Sequence, residues 1–90
     1  MGWVGTFSHI PEVGAIEPVG MCSTATEFYH EGICLPCVKI VERGRTRRDI
    51  MNMMVRSVRD PRIIDMDTRA KIAGNERAIK GIKKILNFMP

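Results

Sequence analysis

The stretch from Asp67 to Asn87 reads as one long helix that cannot account for its own stability. Ile72, Ile79, Ile82, Leu86 and Met89 fall on one apolar stripe. Beside it lies a stripe of small residues: Ala70, Gly74, Ala78 and Gly81. Each interior glycine costs about 1 kcal/mol relative to alanine in a helix. Small residues at that spacing let another backbone come close, so such a helix forms only against a packing surface. A chain of 90 residues offers little of it, because a protein of this size hides only about 60–65% of the surface its unfolded chain exposes. The partner surface is therefore expected outside this chain, and the chain itself is expected to be a piece of a larger domain.

The helix extends over about residues 65–89 and is preceded by a second one over 46–60. Thr46 is a candidate N-cap with Asp49 three residues on. Ile50, Met53, Met54, Ser57 and Val58 keep helical spacing with four of the five apolar. Asp60-Pro61 is expected to stop that helix. The Met51, Met53 and Met54 group reads as core filling.

Residues 1–42 look different. Trp3 to Phe7 is a short β-type run with both aromatics on one face. Pro11 ends any strand there. From Glu12 to Ala25 the chain is rich in Gly, Pro, Ser and Thr, a loop composition, and loops of that length are usually functional. Thr24 to Gly32 is ambiguous between strand and helical turn. Val38 to Val41 reads as a strand closed by an Arg43-Gly44 turn. The fold class is α+β: a few short strands, then two amphipathic helices.

Charge divides the chain in the same way. Residues 1–38 hold no Lys or Arg and carry Glu12, Glu17, Glu27 and Glu31. All fourteen basic residues lie in 39–90, against six acids. A basic half can meet nucleic acid or another polyanion. No aromatics interleave the basic residues to stack on bases, so a solvated helix face is the preferred reading and a nucleic-acid-binding module the alternative. No run of apolar residues is long enough to span a membrane. The N-terminus lacks a signal peptide's basic-then-apolar order, so a cytoplasmic location is expected.

Two groups of residues have the chemistry for a site. His9 and Glu12 stand three apart where an extended run enters a loop, and imidazole with carboxylate suits Zn, Fe or Mn. The spacing alone is nonspecific. Cys34 and Cys37 form a C-x2-C pair, with Cys22 or His30 as further donors. A structural zinc site usually shows two such pairs. An odd count of three cysteines suits a reduced chain, and Cys34 and Cys37 are expected to be small buried residues. There is neither a nucleophile elbow nor a glycine-rich phosphate loop.

The run Thr26-Glu27-Phe28-Tyr29-His30-Glu31-Gly32-Ile33-Cys34-Leu35-Pro36-Cys37-Val38-Lys39-Ile40 closely resembles a signature of the hydantoinase B/oxoprolinase family, roughly T-E-I-Y-x-E-G-L/I-x-I/L-P-P-V-K-L/I. Ser8-His9 through Glu12-Val13-Gly14-Ala15 looks like the family's S-H-x-x-D-I/V-G-G. Asp49 to Asp60 resembles a third family segment, and Asp67-Thr68-Arg69-Ala70-Lys71-Ile72-Ala73-Gly74-Asn75 looks like its D-L-R-A-Q-I-A-A-N helix. The four segments occur in family order and span nearly the whole chain.

The resemblance implies part of a metal-dependent cyclic amide hydrolase of hydantoinase or 5-oxoprolinase type, to which acetone and acetophenone carboxylases are similar. It implies an ATP-handling hydantoinase A-like partner subunit and a cyclic amide or ketone substrate. It assigns His9 and Glu12 as metal ligands. Glu12 stands where the family usually has Asp, and Ala15 where it has a second Gly. Cys34 and Cys37 fall on a variable position and on a usual proline, which argues against zinc. The upstream ligands of the family site are missing here, so no turnover is expected of the chain alone.

Overall fold

The computed structural model describes residues 2–9, 13–17 and 23–89. Its regular elements, in chain order, are a single 3-10 turn at Phe28–Glu31, strands β1 (Val41–Glu42) and β2 (Arg45–Thr46), and helices α1 (Arg48–Arg56) and α2 (Pro61–Phe88). A small antiparallel sheet and two helices make an α+β fold.

The hairpin follows from its turn. Arg43 and Gly44 both take positive φ, 54° and 77°. That is the two-residue turn whose twist matches the strands it joins. It sets Val41 opposite Thr46 and Glu42 opposite Arg45. The Arg47 N–H donates to Ile40 O at 2.7 Å, which carries the pairing one step further. The strand expected from Val38 therefore begins only at Val41, and no strand forms at Trp3–Phe7. An extended run becomes a sheet only beside another strand. Trp3 and Phe7 remain 97% and 88% exposed.

Thr46 is used up in β2, so α1 starts later than its sequence signal, with Arg47 at the cap position and no side-chain cap bond. Arg47 instead turns to acids on either side: Nη2 donates to Asp49 Oδ2 at 2.6 Å and Nη1 lies 3.6 Å from Glu42. The hydrogen bond from Arg47 is the main cause holding the Asp49 carboxyl below its ordinary pKa. A carboxylate favoured in this way adds its stabilisation above the usual carboxylate range and loses it as pH falls through the lowered value. Following the Asp49 carboxyl carbon by NMR through an acid titration should therefore give a midpoint below that of a free aspartate. Arg47→Leu should raise it toward the ordinary value, since the largest cause of the shift is removed.

Pro61 does not stop a helix; it begins one. It occupies the first turn of α2, where its missing N–H costs nothing and its fixed φ is already helical. The helix thus starts ahead of the expected residue 65 and runs 28 residues.

The buried apolar core is small: Met51, Met54 and Ile64, flanked by half-buried Ile33, Leu35, Ile40, Ile50, Val55 and Val58. Met53 is 44% exposed; Ile50, Met54 and Val58 of the expected stripe pack on the core, and Met51 and Val55 take the places of Met53 and Ser57. The radius of gyration is 16.1 Å, against about 12 Å for a compact chain of this length. The difference comes from α2, whose far half outruns everything it packs on. Ile79, Ile82, Ile85 and Leu86 are between 43% and 64% exposed.

Candidate functional site

Residues 13–17 are clamped between two other parts of the chain. The Ile16 N–H donates to His30 O at 3.1 Å, and the Ile33 N–H to Val13 O at 2.8 Å. On the other side, Arg59 Nη2 donates to Ala15 O at 2.7 Å. Gly14, at φ 81°, lies against the Ser57 carbonyl so closely that a β-carbon would collide with it. Gly32, at φ 108°, lies equally close to the Val13 carbonyl. Both positions require glycine. Ala15 is 3% exposed and is not among the described non-glycine residues with positive φ. The tight conformation sits on Gly14, so the alanine at 15 is accommodated.

The Thr26–Gly32 signature is the other half of this clamp. His30 Nδ1 lies 3.2 Å from the Thr26 N–H and Nε2 lies 3.1 Å from Glu27 Oε1. The backbone N–H can only donate, which assigns Nδ1 as acceptor and places the proton on Nε2. Both ring nitrogens are engaged, so His30 shapes the turn and is not poised as a ligand. Cys34 and Cys37 are free and exposed. The burial expected for them is therefore corrected: each sits on an irregular stretch whose apolar contacts are made by Ile33 and Leu35 instead.

His9 is exposed, its ring edge-on to Phe7 with centroids 6.4 Å apart. Glu12 and Cys22 lie outside the described residues. Among the described residues no group of three or more His, Cys, Asp or Glu side chains converges to hold a metal ion. A metal at His9 would thus take its other ligands from outside the described residues.

An apolar groove of about 590 Å³ lies between the 33–41 stretch and α2. Ile33, Leu35, Ile40, Ile72 and Ile79 line it over Met54 and Ile64. Along its helical wall, Thr68 Oγ1 and Asn75 Oδ1 are buried without a hydrogen-bond partner. Buried polar atoms normally have one. Sequence reasoning found the apolar stripe of α2 but not these two atoms, since Thr68 and Asn75 follow helical spacing as ordinary polar residues. The small-residue stripe is partly filled from within this chain. Thr6 Cγ2 lies 3.7 Å from where a Gly74 β-carbon would stand, and Thr6 Oγ1 reaches Lys71 O at 3.5 Å. At Gly81 nothing lies within 4 Å.

Residues 1–89 match the family model for hydantoinase B/oxoprolinase. The chain belongs to that family. It is 34% identical over 88 residues to the uncharacterized protein MJ0963 of Methanocaldococcus jannaschii, covering 93% of this chain and 16% of that protein. To the acetophenone carboxylase delta subunit of Aromatoleum aromaticum it is 36% identical over 78 residues, 86% of this chain and 11% of that subunit. The caprolactamase subunit beta of Pseudomonas jessenii is 32% identical over 57 residues, 63% of this chain and 10% of that subunit. The chain thus spans about one-sixth or less of the length of these curated relatives. No solved structure matches it. Among the described residues no helix is long and apolar enough to cross a membrane.

Proposed function

We propose that this hydantoinase B-type chain works as one part of a cyclic amide hydrolase, and that the rest of a hydantoinase B-type polypeptide covers its apolar groove. The observation that carries the reading is the open side of α2. A groove walled by Ile72 and Ile79, continuing onto exposed Ile82, Ile85 and Leu86, is what remains when a packed interior lacks one wall.

His9 and Glu12 would supply two ligands of a divalent metal, with the remaining ligands from the covering polypeptide, since a catalytic site normally takes three or more. Such an ion polarises a carbonyl or activates water. An ATP-handling hydantoinase A-like subunit would be the further partner. Among the relatives, the names of a carboxylase and of a caprolactamase fit a carbonyl substrate, ketone or cyclic amide. The hydrolase reading rests on the family and the carboxylase reading is its alternative.

The ligand assignment is tested on the chain assembled with the remainder of a hydantoinase B-type subunit. Elemental analysis should find near-stoichiometric metal with the wild-type chain and a clear loss with His9→Ala. Because the His9 ring is exposed and lies edge-on to Phe7, the variant should still assemble. Equal metal in both assemblies would remove His9 from the site.

A further inference from the structure

On the face formed by the hairpin and the helix starts, the structure has an open cleft of about 800 Å³. That volume lies within the range of about 300–1,000 Å³ usual for small-molecule sites. Four arginines from four different places in the fold line it. Arg45 comes from β2, Arg48 from the first turn of α1, Arg62 from the first turn of α2, and Arg69 two turns further along α2. Asp65 is the only carboxylate among the lining residues.

Most of this charge is not neutralised internally. Arg45 and Arg48 form no ion pair with any described residue. Arg62 reaches Asp60 only at 4.0 Å. Arg69 meets Asp65 through Nε at 3.0 Å, which leaves its two Nη groups for another acceptor. Thr46 and Asn52 add a hydroxyl and an amide to the lining.

A helix N-terminus carries positive partial charge, which favours acids there and disfavours cations. Arg48 opens α1 and Arg62 stands one residue after Pro61 in α2, whose first turn holds no acid at all. Both cations therefore stand where helix electrostatics disfavour them. Local choices that work against stability are expected at functional positions. Asp49 in the first turn of α1 is engaged by Arg47, and Asp60 before α2 reaches Arg62 only at 4.0 Å, so a bound anion would offset cations at both helix starts.

The chemistry of the lining narrows the ligand. All four cations are arginines, whose planar forks bind phosphate oxygens two at a time. No aromatic side chain lines the cleft to stack on a base, which sets nucleic acid aside. We infer that the cleft where Arg45, Arg48, Arg62 and Arg69 meet binds a phosphate-bearing small molecule.

The test is titration calorimetry of the full 90-residue chain with inorganic pyrophosphate at low ionic strength, with citrate as a polycarboxylate of similar charge. The variant Arg48→Gln/Arg62→Gln should weaken pyrophosphate binding at least tenfold, with helicity by circular dichroism unchanged or raised. The control Lys80→Gln/Lys84→Gln removes the same charge from exposed positions on the far half of α2 and should bind as the wild type does. Equal weakening in both variants, or no binding at all, would show an ordinary solvated basic face and overturn the proposal. Tighter binding of citrate than of pyrophosphate would overturn the phosphate assignment.

Discussion

Gly32→Ala is expected to destabilise the chain by roughly 2–5 kcal/mol, the sum of a backbone and a steric cost. The backbone cost arises because φ at Gly32 is 108°, a region that residues with a β-carbon rarely adopt. The steric cost arises because the new methyl would lie under 3.0 Å from the carbonyl oxygen of Val13. That oxygen cannot simply move away, since it accepts the Ile33 N–H at 2.8 Å and so ties residues 13–17 to the signature segment. Urea unfolding followed by circular dichroism measures the total. Gly44→Ala separates the two parts: φ there is 77° but nothing lies within 4 Å of the added carbon. It should cost about 1 kcal/mol, from backbone conformation alone. If Gly32→Ala cost no more than Gly44→Ala, the clamp between 13–17 and 30–33 would not be the tight junction described above.

The second large effect concerns assembly. Ile79→Asp/Ile82→Asp should abolish docking of a covering polypeptide, because each places a carboxylate in what would become a dry interface. An unpaired charge there costs several kcal/mol, enough for a loss of affinity of 100-fold or more. The same double variant should leave the isolated chain folded. Ile79 is 43% and Ile82 48% exposed, so neither carboxylate is forced out of water before docking. An effect on assembly without an effect on folding separates an interface from a core.

How the structure was legible in the sequence differs by element. The helices were visible because their periodicity is long, but their starts were not. Thr46 looks like a cap and is taken by the hairpin, while Pro61 looks like a stop and is a helix start. In both cases one residue type serves two local roles, and only the neighbouring pairing decides between them. The Arg43-Gly44 turn was legible because only one common hairpin geometry needs positive φ at both of its residues. The run at Trp3–Phe7 has strand composition and no strand to lie beside, a condition no local pattern reveals.

For the site, the resemblance of four ordered segments led to the family, and the match over residues 1–89 established it. The clamp residue Gly14 was legible only through that motif. The orphaned oxygens of Thr68 and Asn75 and the gathering of four arginines were not legible, because each depends on side chains from separate elements meeting in space. The expectation of a missing packing surface survives in a narrower form. Thr6 fills the small-residue stripe at Gly74, and the stretch beyond it stays open.

The most direct measurement of the central claim is co-purification of this chain with a hydantoinase B-type protein that lacks the matching stretch. MJ0963 with its matching 88 residues deleted is a suitable choice. The wild-type chain should be retained on the tagged, deleted protein at a ratio near one to one, and Ile79→Asp/Ile82→Asp should pass through. Failure of the wild-type chain to bind, or equal retention of both, would contradict the view that the open face of α2 is covered by the rest of a hydantoinase B-type polypeptide.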